Sequence, residues 1–133
     1  MKLFLSVLLF AGSLFSQTLP ADMIQGHWHA RTPIYAQNAQ LFMSFDFSKT
    51  QMKLTGTCVY PDQSELSASV QVHVAYAGSD LYIQESKQTQ IDDGYKFCKV
   101  YLTHSKWQFY FNGVGAAVLI APVPYGMQFQ LVR

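Results

Sequence analysis

Ile24-Gln25-Gly26-His27-Trp28-His29-Ala30 decides how this chain folds. Side chains alternate across a β-strand, so Ile24, Gly26, Trp28 and Ala30 share one face while Gln25, His27 and His29 share the other. The first face is apolar and points inward. Gly26 has no Cβ, which lets the strand bend or another group approach closely, and Trp28 supplies a large plug for the end of a barrel.

The same period of two recurs along the chain. Leu41, Met43, Phe45 and Phe47 fall on one face of a strand from Leu41 to Phe47, and Met52, Leu54, Gly56, Cys58 and Tyr60 on one face of the next. Leu66 to Tyr76 is the clearest case, with Leu66, Ala68, Val70, Val72, Val74 and Tyr76 inward. Further strands are expected at Leu81–Ser86, Tyr95–His104, Lys106–Phe111, Gly115–Ala121 and Met127–Arg133. Turn chemistry separates them: Pro61-Asp62-Gln63-Ser64, Gly78-Ser79-Asp80, Asp92-Asp93-Gly94 and Asn112-Gly113. Gln17 to Met23 reads as an irregular lead-in. The first strand is expected to run to Thr32 before Pro33, Tyr35–Gln40 to loop across one mouth, and Lys87–Gly94 to be the longest loop. No amphipathic helix is evident. Eight or nine strands with short connections predict an all-β fold, an antiparallel up-and-down barrel. Closure would place the first strand beside the last and remove exposed edges. A two-layer sandwich is the alternative.

Gly26-x-Trp28 at the head of the first strand, with Arg133 ending the last, resembles the lipocalins and the wider calycin superfamily. The resemblance covers the first strand, the strand rhythm and the terminal basic residue. It implies that Arg133 lies over the Trp28 ring, a cation–π contact of about 0.5 to 2 kcal/mol. It also implies a cup for a small hydrophobic molecule.

Residues 1–16 carry Lys2, then Leu3-Phe4-Leu5-Ser6-Val7-Leu8-Leu9-Phe10, then small residues, the layout of a secretory signal. Cleavage is expected after Ser16, with Ser13 and Ala21 as alternatives. The apolar run is shorter than the roughly 20 residues a membrane anchor needs, and no cysteine at the exit invites lipidation. Residues 17–133 would then form a single domain with eight basic and eight acidic residues. That balance favours neither nucleic acid nor an anionic membrane as partner. Cys58 and Cys98, an even pair in an exported chain, read as a disulfide, with two buried thiols as the alternative. No Asn-x-Ser/Thr sequon is present, so a secreted or a periplasmic location fits.

Chemistry has few footholds. His27 and His29, two apart on one strand face, can present two imidazoles to one metal. A complete site needs further ligands, and solvent-facing polar residues flanking Trp28 are the plainer reading, so no metal and no cofactor are expected. No Gly-x-Ser-x-Gly elbow occurs, and Asp92-Asp93 lies in a turn, so no catalytic residue is assigned and a non-enzymatic binding protein is expected. The aromatics lead instead. Met43, Phe45, Tyr76, Phe109 and Phe111 are candidates to line a pocket for a hydrophobic molecule or lipid, although the same rings could simply fill the barrel. Exposed rings at Phe42, Tyr82, Phe97 and Tyr101 would instead mark a protein partner, for example a hydrolase inhibited through the rim segment Lys87–Gly94.

Overall fold

The computed structural model describes residues 20–36, 38–122 and 126–133. The expected signal peptide, its cleavage after Ser16 and the middle of the Pro122–Gly126 break lie outside the described residues.

The chain is all-β, a closed antiparallel barrel of eight strands with one further strand on its edge. A short helix α1 (Pro20–Ile24) precedes β1 (Gly26–Ala30), β2 (Ile34–Ala36), β3 (Ala39–Phe47), β4 (Gln51–Val59), β5 (Glu65–Ala77) and β6 (Asp80–Ile83). There follow β7 (Lys87–Asp93), β8 (Lys96–Leu102), β9 (Ser105–Gly113), β10 (Ala116–Ile120) and β11 (Gln128–Val132). The barrel runs β1-β11-β10-β9-β6-β5-β4-β3, and β1 pairs with β3 to close the ring. Trp28 lies opposite Phe45 and His29 opposite Val132 in this closure. β2 pairs with the other end of β3, placing Ile34 opposite Leu41.

The inward sets read from the sequence form the core, including Leu41, Phe45, Met52, Leu54, Val70, Val72 and Phe109. Four local expectations need correction. Ile24 belongs to α1 and not to the first strand, and the lead-in is helical from Pro20. Five residues are too few to show helical periodicity, and Pro20 at the first helical position was the available signal. The first strand stops at Ala30, short of Thr32. Tyr35–Gln40 is not a simple loop, because β2 and β3 pair as a tight hairpin within it. Lys87–Gly94 is largely strand β7, held by its register against β8, Lys87 opposite Leu102 through Asp93 opposite Lys96. Its side chains are mostly exposed, so backbone pairing alone makes it a strand and polarity gave no hint of it.

β6 and β9 pair over four residues before the ribbon they form bends at residues 84–86 and 103–104. Its outer half, β7 and β8, leaves the barrel wall and forms a separate two-stranded sheet. The bend is braced by the His104 amide donating to Ser86 Oγ (2.8 Å) and the His73 amide donating to Glu85 Oε1 (2.9 Å). The meander is therefore interrupted twice, by β2, which β1 bypasses to pair with β3, and by the β7–β8 hairpin, which folds over the end of the barrel distant from Trp28.

Candidate functional site

Trp28 seals one end of the barrel. It is buried, and its Nε1 donates to the Ile24 carbonyl (2.7 Å), fixing α1 across the barrel floor. The Arg133 guanidinium carbon stands 4.2 Å from the Trp28 ring centroid. Its two terminal nitrogens donate to the Met23 carbonyl (2.7 Å) and the Gln25 carbonyl (3.0 Å). Gly26 is required here: its φ is +106°, and a Cβ would sit 2.7 Å from Arg133 Nη1. The contact expected from Gly26, Trp28 and Arg133 is therefore present.

The other end is closed by the β7–β8 hairpin. Cys98 on β8 is disulfide-bonded to Cys58 on the inward face of β4. Val100, two residues on, packs where Gly56 has no side chain; a Cβ there would lie 2.4 Å from Val100 Cγ1. At the hairpin tip, the Tyr60 hydroxyl donates to the Phe97 carbonyl, and Lys96 donates to Asp62 and to Ser64 Oγ (2.6 Å). Those bonds from Lys96 and Ser64 hold the Asp62 carboxyl well below the ordinary carboxylate range. A covalent bond, one knob in one gap and three polar contacts thus fasten the hairpin, while no β-ladder joins it to β5.

Between β8 and the barrel mouth lies an apolar recess of about 220 Å³. Leu41, Met43 and Leu54 form its floor, Val100 and Leu102 its roof, and Trp107 with Phe129 a wall. The two wall rings stack, with centroids 6.1 Å apart and planes 12° from parallel. Ile34, Ala36, Tyr101 and Met127 edge the opening, and Lys99 is the one charged side chain among the described residues that line it. Such a surface offers dispersion and desolvation, with almost no directional hydrogen bonding.

Of the residues expected to line a pocket, only Met43 borders this recess. Phe45 packs beneath it, 5.8 Å from Phe129 between centroids and stacked on Phe47. Tyr76, Phe109 and Phe111 lie towards the Trp28 end, where Phe111 leans on Trp28 (6.3 Å) and Phe109 meets both neighbours edge-on. The Tyr76 hydroxyl donates to the Ser48 carbonyl (3.0 Å), and burial pushes its pKa up to about 12. Sequence reasoning missed Leu54, Val100, Leu102 and Phe129 as lining residues. Leu54 falls in an inward set, whereas aromatics on both faces of Tyr95–His104 leave Val100 and Leu102 unoriented, and distance from the Trp28 end is what separates lining from filling.

Among the described residues no helix is long and apolar enough to cross a membrane, and no group of three or more His, Cys, Asp or Glu side chains is placed to hold a metal ion. Compared with protein-family models, with curated proteins and with solved structures, the chain has no match in any of the three.

Proposed function

We propose that this is a lipocalin-like, exported binding protein, secreted or periplasmic, that holds a small apolar molecule in the recess beneath β8. The recess itself carries this reading: an opening walled by Met43, Leu54, Trp107 and Phe129 at the end of the barrel opposite its tryptophan plug. Size restricts the cargo. An engineered apolar cavity of about 150 Å³ accepts benzene, whereas drug-sized ligands occupy pockets of roughly 300 to 1,000 Å³. At about 220 Å³ the recess suits one or two rings or a short acyl segment, and a whole lipid would have to leave most of its length outside. A disulfide and a signal-like leader support export. The test is native mass spectrometry of protein purified from its own host, followed by titration with indole. A retained small molecule, and indole binding that Ala36→Phe abolishes by filling the rim, would support the reading; no retained mass and no indole binding up to millimolar concentration would refute it.

A second reading has its own observation. Phe97 and Tyr101 on the outer face of β8 are 39% and 52% exposed, and Tyr95 at the hairpin tip is fully exposed. Aromatic rings gathered on one raised hairpin suit a protein partner, such as a hydrolase to be inhibited. Stoichiometric co-purification of a protein lost on Phe97→Ser and Tyr101→Ser would favour it.

A further inference from the structure

We infer that the outer face of β1 is a binding site for a single late transition-metal ion, held by His27 and His29 with Asp46 as the positioning residue. The site is independent of the recess. It lies at the Trp28 end, on the solvent side of the strand, and all three side chains are reachable from water.

Three observations converge on it. First, the two imidazoles are already close, with ring centroids 4.9 Å apart and planes at 77°. A metal about 2.1 Å from each coordinating nitrogen, with each ring centre about 1.1 Å beyond it, sets two imidazole centroids roughly 4.5 Å apart at a right angle and roughly 5.2 Å at the tetrahedral angle. The observed separation falls between these limits. Second, His27 has a partner that orients its ring. His27 Nδ1 lies 2.7 Å from Asp46 Oδ1. A carboxylate only accepts, so Nδ1 carries the hydrogen and Nε2 of the neutral ring keeps its lone pair for a metal. A carboxylate behind a ligating histidine fixes the ring and raises its basicity. Third, the arrangement is built into the barrel closure. His27 is opposite Asp46 and His29 opposite Ser44 in the β1–β3 ladder, so the three groups are carried by paired backbone and not by a loop.

Among the described residues no third His, Cys, Asp or Glu joins the pair, so the remaining coordination positions fall to water. Neutral nitrogen donors of this kind favour Cu²⁺ over Zn²⁺ and disfavour Mg²⁺ and Ca²⁺, which want oxygen.

The test is titration of the purified protein with ZnCl₂, followed by the histidine ring signals in NMR, then addition of CuCl₂. The expected result is that His27 and His29 shift together and saturate at one zinc per chain while His73 and His104 stay unmoved. Copper should displace the zinc. His29→Ala should leave the His27 ring signals unshifted at the same zinc concentration. Asp46→Asn should weaken zinc about tenfold or more while leaving the backbone spectrum in place, the effect of losing the group that orients the ligand. Ring signals of His27 and His29 that do not move at millimolar zinc, or a His27→Gln, His29→Gln double variant that binds as tightly as the parent, would overturn the assignment.

Discussion

The Arg133 guanidinium stacks on the Trp28 indole at 4.2 Å, joining the last described strand to the first across the closed end of the barrel. Two hydrogen bonds to the carbonyls of Met23 and Gln25 fix its plane, so charge, ring and the α1–β1 junction are tied by one side chain. Arg133→Ala removes all three at once. A cation–π contact at an accessible site is worth about 0.5 to 1 kcal/mol and each charge-assisted hydrogen bond adds more, so a loss of about 1 to 3 kcal/mol is expected in denaturant unfolding. Arg133→Lys should recover only part of this, because an ammonium lacks the planar fork. A variant as stable as the parent would show that ring and cation are merely adjacent.

The Cys58–Cys98 bridge fastens the hairpin and not the barrel wall. Replacing both cysteines by serine should cost up to about 4 kcal/mol in the chain-entropy picture for a loop of this length. Hydrogen exchange should locate the change. Amides of β7 and β8 are expected to lose protection first, while those of β4 and β5 keep theirs, since among the described strands β7 and β8 form a sheet apart from the wall. Uniform loss across the barrel would contradict this division.

Gly56 and Val100 form a knob and a gap. A Cβ at position 56 would meet Val100 Cγ1 at 2.4 Å and Leu41 Cδ1 at 3.0 Å. Val100 is β-branched and buried, so it cannot rotate away cheaply. Gly56→Ala should therefore destabilise by about 1 to 3 kcal/mol, the usual cost of overpacking. Adding Val100→Ala should relieve much of that, giving a double variant more stable than the sum of the single effects. Simple additivity in thermal or urea unfolding would mean that the two positions do not touch.

Acid should loosen the hairpin before it unfolds the barrel. Hydrogen bonds from Lys96 and Ser64 hold the Asp62 carboxyl below its ordinary value of 3.8, and those from the His73 amide and ring do the same for Glu85 at the bend. A depressed folded-state pKa gives stability that is complete above the unfolded value and is lost as pH falls through the folded one. Protection of the amides near Lys96 should thus decline as pH drops below about 4, with Asp62→Asn removing most of that dependence. Hairpin protection that is flat from pH 5 to pH 2 in the parent would count against it.

Much of the architecture was legible because half-buried strands write their phase into the chain. Leu66 to Tyr76 shows six inward positions in register, and Gly26, Trp28 and Arg133 marked the closure. What stayed hidden has a physical cause in each case. β7 buries almost nothing, so its hydrogen bonds with β8 leave no trace in polarity. Cys98, Val100 and Leu102 alternate with Tyr95, Phe97, Lys99 and Tyr101, so a period of two leaves open which face turns inward, and it cannot say that the Cys98 face lies over the barrel mouth instead of in the wall. That depends on the bend at residues 84–86 and 103–104, and with it the position of the recess.

The proposed binding role of the recess is tested most directly by the methionine methyl groups. Met43 and Met127 border the recess, whereas Met52 is fully buried elsewhere in the core. Indole added to protein carrying ¹³C-labelled methionine methyls should shift the Met43 and Met127 signals in parallel and leave Met52 in place. Methyl signals that all stay still at saturating indole, or a shift at Met52 without one at Met43, would contradict a binding site beneath β8.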